Sequence, residues 1–361
     1  MTRTKSSRWL LAPGLALAML FAFSASGSAA GSNAYSVTNL VSDVPGLASH
    51  TDPNLVNAWG LVAGPTTFWW VADNETNVST LYNGDGDPQP LVVQVAGAPT
   101  GMVFNGGPNF IVSDGVDSGP SRFMWVTESG TIRGWNPGVP PPAPSTQSFV
   151  VVDRSDVGAI YKGLAIASTQ DGDFIYAADF HNARVDVFDG DFNLVSPPGS
   201  FVDPQLPSGF APFGIQNIGG EIFVAYAKQD ADAEDEIAGQ GLGFVDRFDT
   251  SGAFLGRVAT RGLLNAPWGL AQAPESFGKF GGDLLVGNFG DGRIDAYERQ
   301  PDGSFELQGR LRGTNRKAIV IDGLWALQFG NGGNAGPTDT LFFTAGPDDE
   351  THGLFGKIEA P

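Results

Sequence analysis

Short apolar runs in this chain are repeatedly flanked by polar side chains of the kinds that bind ligands or react. Asn57, Thr100, Lys162, Asn265 and Asp322 precede such runs. Asp73, Asn74 and Glu75 follow one, as do Glu128, the pair Asp179 and His181, and the pair Tyr226 and Lys228. Asn288 with Asp291, and Glu350 with His352, complete the set. Carboxylate and amide oxygens suit Ca2+, which takes about six to eight oxygen ligands including waters. Glu75, Glu128, Asp179 and Asn288 are the candidate ligands for a calcium-dependent hydrolase. A transition-metal or quinone site would draw on histidine, but the chain has three. His181 and His352 fall in separate units, and His50 has no evident partner. A Ser-His-Asp hydrolase is disfavoured because no nucleophile-elbow motif appears. Binding without catalysis asks only for convergence. Asn57, Asp73, Asn74, Lys162, His181, Tyr226, Lys228, Asn265, Asp322, Glu350 and His352 are the candidates to hold a glycan, peptide or protein ligand. Against each stands the plainer role of Asp and Asn in satisfying turn backbones.

These residues must be positioned by repeated elements, because the phrases around them recur. "NAWGLV" (57–62) returns as "APTGMVF" (98–104), "YKGLAIA" (161–167), "APFGIQNI" (211–218), "NAPWGLAQA" (265–273) and "DGLWALQF" (322–329). The shared small residue is Gly60, Gly101, Gly163, Gly214, Gly269 and Ala326. A second apolar phrase follows each first one, at 68–74, 123–129, 174–180, 221–227, 283–289 and 340–346. A third follows at 79–86, 130–136, 183–189, 243–249, 292–298 and 352–359. Five units add a weaker fourth, at 90–97, 148–153, 199–203, 254–260 and 305–312. Six units of three or four short strands predict an all-β chain, a six-bladed β-propeller. The sixth unit ends after its third strand, and an open edge invites aggregation. The unassigned segment 34–43 is expected to supply the missing strand and close the ring. Strand one runs down and strand two runs up, so the polar residues named above share one face, the channel mouth.

Composition agrees. Fifty Gly, twenty-five Pro and no Cys, without a long helical period, fit short strands and turns with no disulfide. Residues 1–30 read as a signal peptide: Arg3, Lys5 and Arg8, an apolar run, then Ser28-Ala29-Ala30. Cleavage after Ala30 leaves residues 31–361 as a single propeller domain and takes the formal net charge from −19 to −22, because residues 1–30 hold three basic residues and no acidic one. That charge argues against nucleic-acid and anionic-membrane partners, and no later apolar stretch is long enough to span a bilayer. The expected location is therefore outside the cytoplasm, extracellular or periplasmic. The acidic run "DADAEDE" (230–236) lies in the long loop after strand two of the fourth unit and reads as a solvated loop; its spacing is not that of an EF-hand.

The pattern of Gly163 to Asp189 and Gly269 to Tyr297 resembles the NHL-type propeller repeat. More specifically, "DPNLVNAWGL" (52–61), "LPSGFAPFGIQNI" (206–218), "LNAPWGLA" (264–271), "GDLLVGNFGDG" (282–292) and "DETHGLFG" (349–356) resemble a family of secreted bacterial six-bladed propellers. The resemblance spans nearly all of residues 31–361 and implies the fold, but it transfers no catalytic residues. Some members of that family end in a hydrophobic sorting tail; "LFGKIEAP" here does not match one, which implies free release. The expected function is a binding scaffold using the channel mouth, with a shallow, aromatic-rimmed opening. The alternative is a calcium-dependent, lactonase-like hydrolase at the same face.

Overall fold

Each repeated phrase folds as a strand, and each unit as one antiparallel sheet. The computed structural model describes residues 31–361, together with Met1, Thr2 and Thr4; the segment read as a signal peptide otherwise lies outside the described residues. The innermost strands are Ala58–Val62, Pro99–Phe104, Tyr161–Thr169, Phe210–Ile218, Pro267–Gln272 and Leu324–Phe329. Each pairs with the second strand of its own blade, which pairs with the third, and so outward. Six sheets therefore form a six-bladed β-propeller. Among the described residues, no helix is long and apolar enough to cross a membrane.

The ring closes with the N-terminal strand. Ser36–Ser42 pairs antiparallel with Leu354–Glu359, the third strand of the last blade, with Val37 opposite Ile358 and Ser42 opposite Leu354. A short fifth strand, His50–Thr51, adds to it in parallel. Tyr35 anchors the start: its ring packs on Phe277 at 4.8 Å, and its hydroxyl donates to the Phe277 carbonyl at 3.0 Å.

The small residue of the inner strand has a steric reason. A Cβ at Gly163 would lie 2.7 Å from the Phe213 carbonyl oxygen, and one at Gly269 would lie 2.5 Å from that of Trp325. Both contacts are with the inner strand of the next blade, so glycine lets neighbouring inner strands approach backbone to backbone. Apolar side chains then fill the wedges between blades. The cluster of Trp70, Met102, Phe123 and Trp125 joins the first and second blades, and Tyr176, Ile215, Val224 and Phe248 join the third and fourth. Each blade buries both faces against its neighbours, as repeat architectures require.

Two elements differ from the sequence reading. The fourth strand of the third blade is Leu194–Val195, not 199–203. Pro197 and Pro198 interrupt the edge strand there, and Phe201, with a φ of +51°, turns inward to pack on Tyr176 and Phe248. The second blade also carries an extra hairpin, Ile111–Ser113 with Ser118–Pro120, between its first two strands. Its strands are too short to stand out by alternation.

Candidate functional site

At the face where inner strands begin, five of the phrase-flanking residues join into one chain of polar contacts. Asn57 precedes the first inner strand with a φ of +46°, a conformation asparagine tolerates. Its amide donates to Glu350 Oε2 at 2.6 Å and to Asn74 Oδ1 at 3.3 Å, while its Oδ1 accepts the Trp325 indole N–H at 2.9 Å. Asn74 passes the contact on, donating to Glu128 Oε2 at 2.9 Å. The other oxygen of Glu128 accepts from Lys162 Nζ at 2.5 Å, and Lys162 also donates to Asp235 Oδ1 at 3.1 Å. The chain therefore links residues of the sixth, first, second, third and fourth blades across the channel mouth.

Lys162 is 1% exposed, whereas Asp235 is 73% exposed. Burial alone would pull the ammonium's pKa down, but Glu128, Glu236 and Asp235 outweigh it and hold it above the ordinary lysine value. The ammonium also sits 5.2 Å over the Trp59 ring. Burial pushes the Glu236 carboxyl up to about 8, against the pull of Lys162, and raises Glu350 as well. Both carboxylate partners of this lysine line an open basin of ≈ 690 Å³, formed by Glu75, Glu128, Glu234, Asp235, Glu236, Asp349 and Glu350 together with Asn74 and Ile160.

Two loops deliver the carboxylates that do not flank a repeated phrase. The acidic run after strand two of the fourth blade is a folded loop: Asp230 Oδ1 accepts the Glu234 N–H at 3.0 Å, and the Ile237 N–H donates to the Lys228 carbonyl at 2.7 Å. Asn265 Oδ1 holds the far end of this loop through the Gly239 N–H at 2.6 Å, and His181 Nδ1 donates to the Ala233 carbonyl at 3.2 Å. In the sixth blade, Asp348, Asp349 and Glu350 have φ values of 57°, 52° and 66°. Three successive non-glycine residues in the left-handed region cost about 1–2 kcal/mol each. Asp322 Oδ2, accepting the Asp348 N–H at 3.0 Å, helps to hold that turn.

The aromatic groups form the floor and not the rim. Trp59 and Trp325 stack at 3.7 Å, Phe289 stacks on Trp325 at 4.0 Å, and Trp268 meets Trp325 edge-on at 6.0 Å. With Phe180 and Phe213 they fill the axis beneath the basin. The expected aromatic-rimmed mouth is thus an acidic basin over a buried aromatic plug.

The remaining candidates lie apart from the basin. Asp73 is buried inside its blade, accepting the Thr80 N–H at 3.0 Å, and burial raises its carboxyl. Asp179 is held by Asn182 at 2.8 Å and by Arg184 at 3.3 Å. Asn288 accepts the Asn265 N–H at 2.9 Å and donates to Asp295 at 3.0 Å. Asp291 pairs with Arg293 at 2.7 Å. Tyr226 is buried in the fourth blade, where it packs between blades; Lys228 lies 5.5 Å over the Phe210 ring. His352 Nδ1 meets Asp43 Oδ2 at 2.8 Å beside the closing strand, and His50 faces Asp87 at 3.5 Å. Of the four calcium candidates, Glu75 and Glu128 line the basin, and Asp179 and Asn288 do not converge with them. Among the described residues, no group of three or more His, Cys, Asp or Glu is arranged to hold a metal ion.

Two relatives from Acanthamoeba polyphaga mimivirus are similar over most of this chain. "Uncharacterized protein R648" is 33% identical over 337 residues, covering 90% of this chain and 80% of its own length. "Uncharacterized protein L690" is 33% identical over 341 residues, covering 90% and 85%. No family model matches. Among solved structures, a structural genomics protein of unknown function from Bacteroides thetaiotaomicron has a TM-score of 0.56 at 12% identity, over 90% of this chain and 76% of that one. A glucose dehydrogenase has a TM-score of 0.53 at 13% identity, over 90% and 100%. Likeness at such identity carries the fold alone.

Proposed function

We propose that this chain, which belongs to the same family as the two mimivirus proteins, is a binding scaffold that captures a cationic ligand in the acidic basin at one mouth of its channel. The observation that carries this reading is the charge balance of the basin. Seven carboxyl groups line it, and the one lysine that pairs with them among the described residues, Lys162, is already shared between Glu128 and Asp235. Such a concave, single-signed surface draws in opposite charge. Of the glycan, peptide and protein ligands expected, a lysine-rich peptide or an amine-bearing small molecule fits best. The net charge of −22 over residues 31–361 supports the same preference and disfavours nucleic acid.

Export is part of this proposal. The basic, apolar and small-residue pattern of residues 1–30 supports cleavage after Ala30 and a location outside the cytoplasm, in line with the resemblance to secreted bacterial propellers. The calcium-dependent hydrolase is the second reading for this mouth, supported by Glu75 and Glu128 in the basin.

The test is calorimetric titration near pH 8 in low salt with spermidine, a lysine-rich peptide, maltotriose and calcium chloride. Spermidine and the peptide are expected to bind, and Glu350→Gln to weaken both about tenfold, the effect of losing one charged contact. Binding of the neutral sugar alone, or of none of the cations, overturns the proposal. Calcium binding without spermidine binding transfers the site to the hydrolase reading.

A further inference from the structure

The channel mouth on the opposite face has a different chemistry. The residue immediately after the small residue of each inner strand lines a constriction there: Leu61, Met102, Leu164, Ile215, Leu270 and Leu327, one from each blade. Trp268 closes its inner end, edge-on to Trp59 at 6.5 Å and with its indole N–H spent on the Lys162 carbonyl at 2.9 Å. Outward, the constriction opens into a cavity of ≈ 330 Å³ that reaches Phe104 and Ile166. No ionisable side chain lines either part.

Gln216 and Gln328 line both the constriction and the cavity. Among the described residues, neither carboxamide has a hydrogen-bond partner. The nearby Asn217, by contrast, is committed, its amide donating to the Ile166 carbonyl at 2.8 Å. The funnel thus offers an apolar ring at depth and two free carboxamides above it, each able to donate and to accept.

We propose that this funnel is a second binding site, specific for a small uncharged molecule with an apolar body and carboxamide or hydroxyl groups. The ring itself, at ≈ 30 Å³, has room for little more than a water, so the apolar body packs in the outer cavity against Leu61, Met102, Phe104 and Ile166, where burial is favourable. The polar groups pair with Gln216 and Gln328. A charged ligand gains nothing here to offset its lost hydration, so the funnel rejects the cations that suit the basin. The volume lies at the small end of ligand pockets, which run from about 300 to 1,000 Å³. The aromatic plug separates the two mouths, so this site stands or falls apart from the basin.

The experiment titrates the full-length protein by calorimetry with N-acetylphenylalaninamide, the anion N-acetylphenylalanine and the cation phenylalaninamide. These probes share a body and differ in charge. The neutral amide is expected to bind at least about tenfold more tightly than the anion. Gln216→Leu and Gln328→Leu, each confirmed by an unchanged melting transition, should weaken it about tenfold, and Glu350→Gln should leave it unchanged. Any cation binding through the basin shows as loss in Glu350→Gln and retention in Gln328→Leu. Equal affinity for neutral and anionic probes overturns the proposal, as does no binding of the neutral probe at millimolar concentration or binding indifferent to both glutamine substitutions. If Gln→Leu destabilises the fold, Gln→Glu at the same positions is the substitute. Added charge should then weaken the neutral probe, and tighter binding would count against the site.

Discussion

At the residue scale, Asn57, Asn74, Glu128, Lys162 and Glu350 come from four different blades of the first, second, third and sixth units, yet their side chains meet in sequence around the mouth. Each stood out in the sequence as a polar residue beside an apolar phrase. Which of them would touch was not legible, because contact depends on how far each side chain reaches across the axis. Glu236 gives this cluster a pH signature. Its carboxyl is raised to about 8 from the usual 4.5, and Asp246 and Asp283 are raised by burial to about 7 and about 6. Such groups hold a proton in the folded state that the unfolded chain has released, so stability is full below about 4.5 and is lost as pH rises through the folded values. Melting temperature should therefore fall between about pH 5 and pH 8, and Glu236→Gln should flatten the slope. Spermidine affinity runs the other way, rising between pH 6 and pH 8 as Glu236 ionises. Calorimetry in buffers of different ionisation enthalpy should show a proton released on binding near pH 7.

At the element scale, the strands were readable because one phrase recurs with a small residue at a fixed place. The steric reason is visible at Gly163 and Gly269. Blade three departs because Phe201 leaves the expected edge strand to pack inside, and a packing choice of that kind leaves no periodic trace. The acidic loop at 230–236 was legible as charge but not as a folded element: besides Asp230 within the run, its order comes from Asn265, His181 and Lys228 outside it. The closing strand is the element on which the ring depends. Leu40 and Val41 are buried, and Ser42 and Asp43 bond to Gly353 at 2.9 and 2.8 Å. Deleting residues 31–43 removes Tyr35, Leu40 and Val41 from the core, at about 1.5–3 kcal/mol each, and exposes a strand edge. The melting temperature should drop by about 10 °C or more, with aggregation, and a synthetic 31–43 peptide should restore part of the loss. An unchanged transition would mean that the ring closes without it.

At the scale of the whole molecule, the propeller sets two unlike mouths on one axis. Carboxylates gather where inner strands begin, and neutral amides and aliphatic groups gather where they end, with stacked aromatic rings between. The repeat explains the neutral mouth, since the same position of each blade lines it. The acidic mouth arises from departures from the repeat, above all the long loop of blade four and the left-handed turn at 348–350. Attraction between this basin and a cation is screened over about 10 Å at 0.1 M salt, so capture should depend on ionic strength. The most direct measurement is spermidine affinity at pH 8 as sodium chloride is raised from 20 to 300 mM, for the wild type and for Glu350→Gln. Wild-type affinity should fall about tenfold or more, and the variant should bind more weakly with a flatter response. Affinity that is independent of salt, or equal in the two proteins, would contradict it.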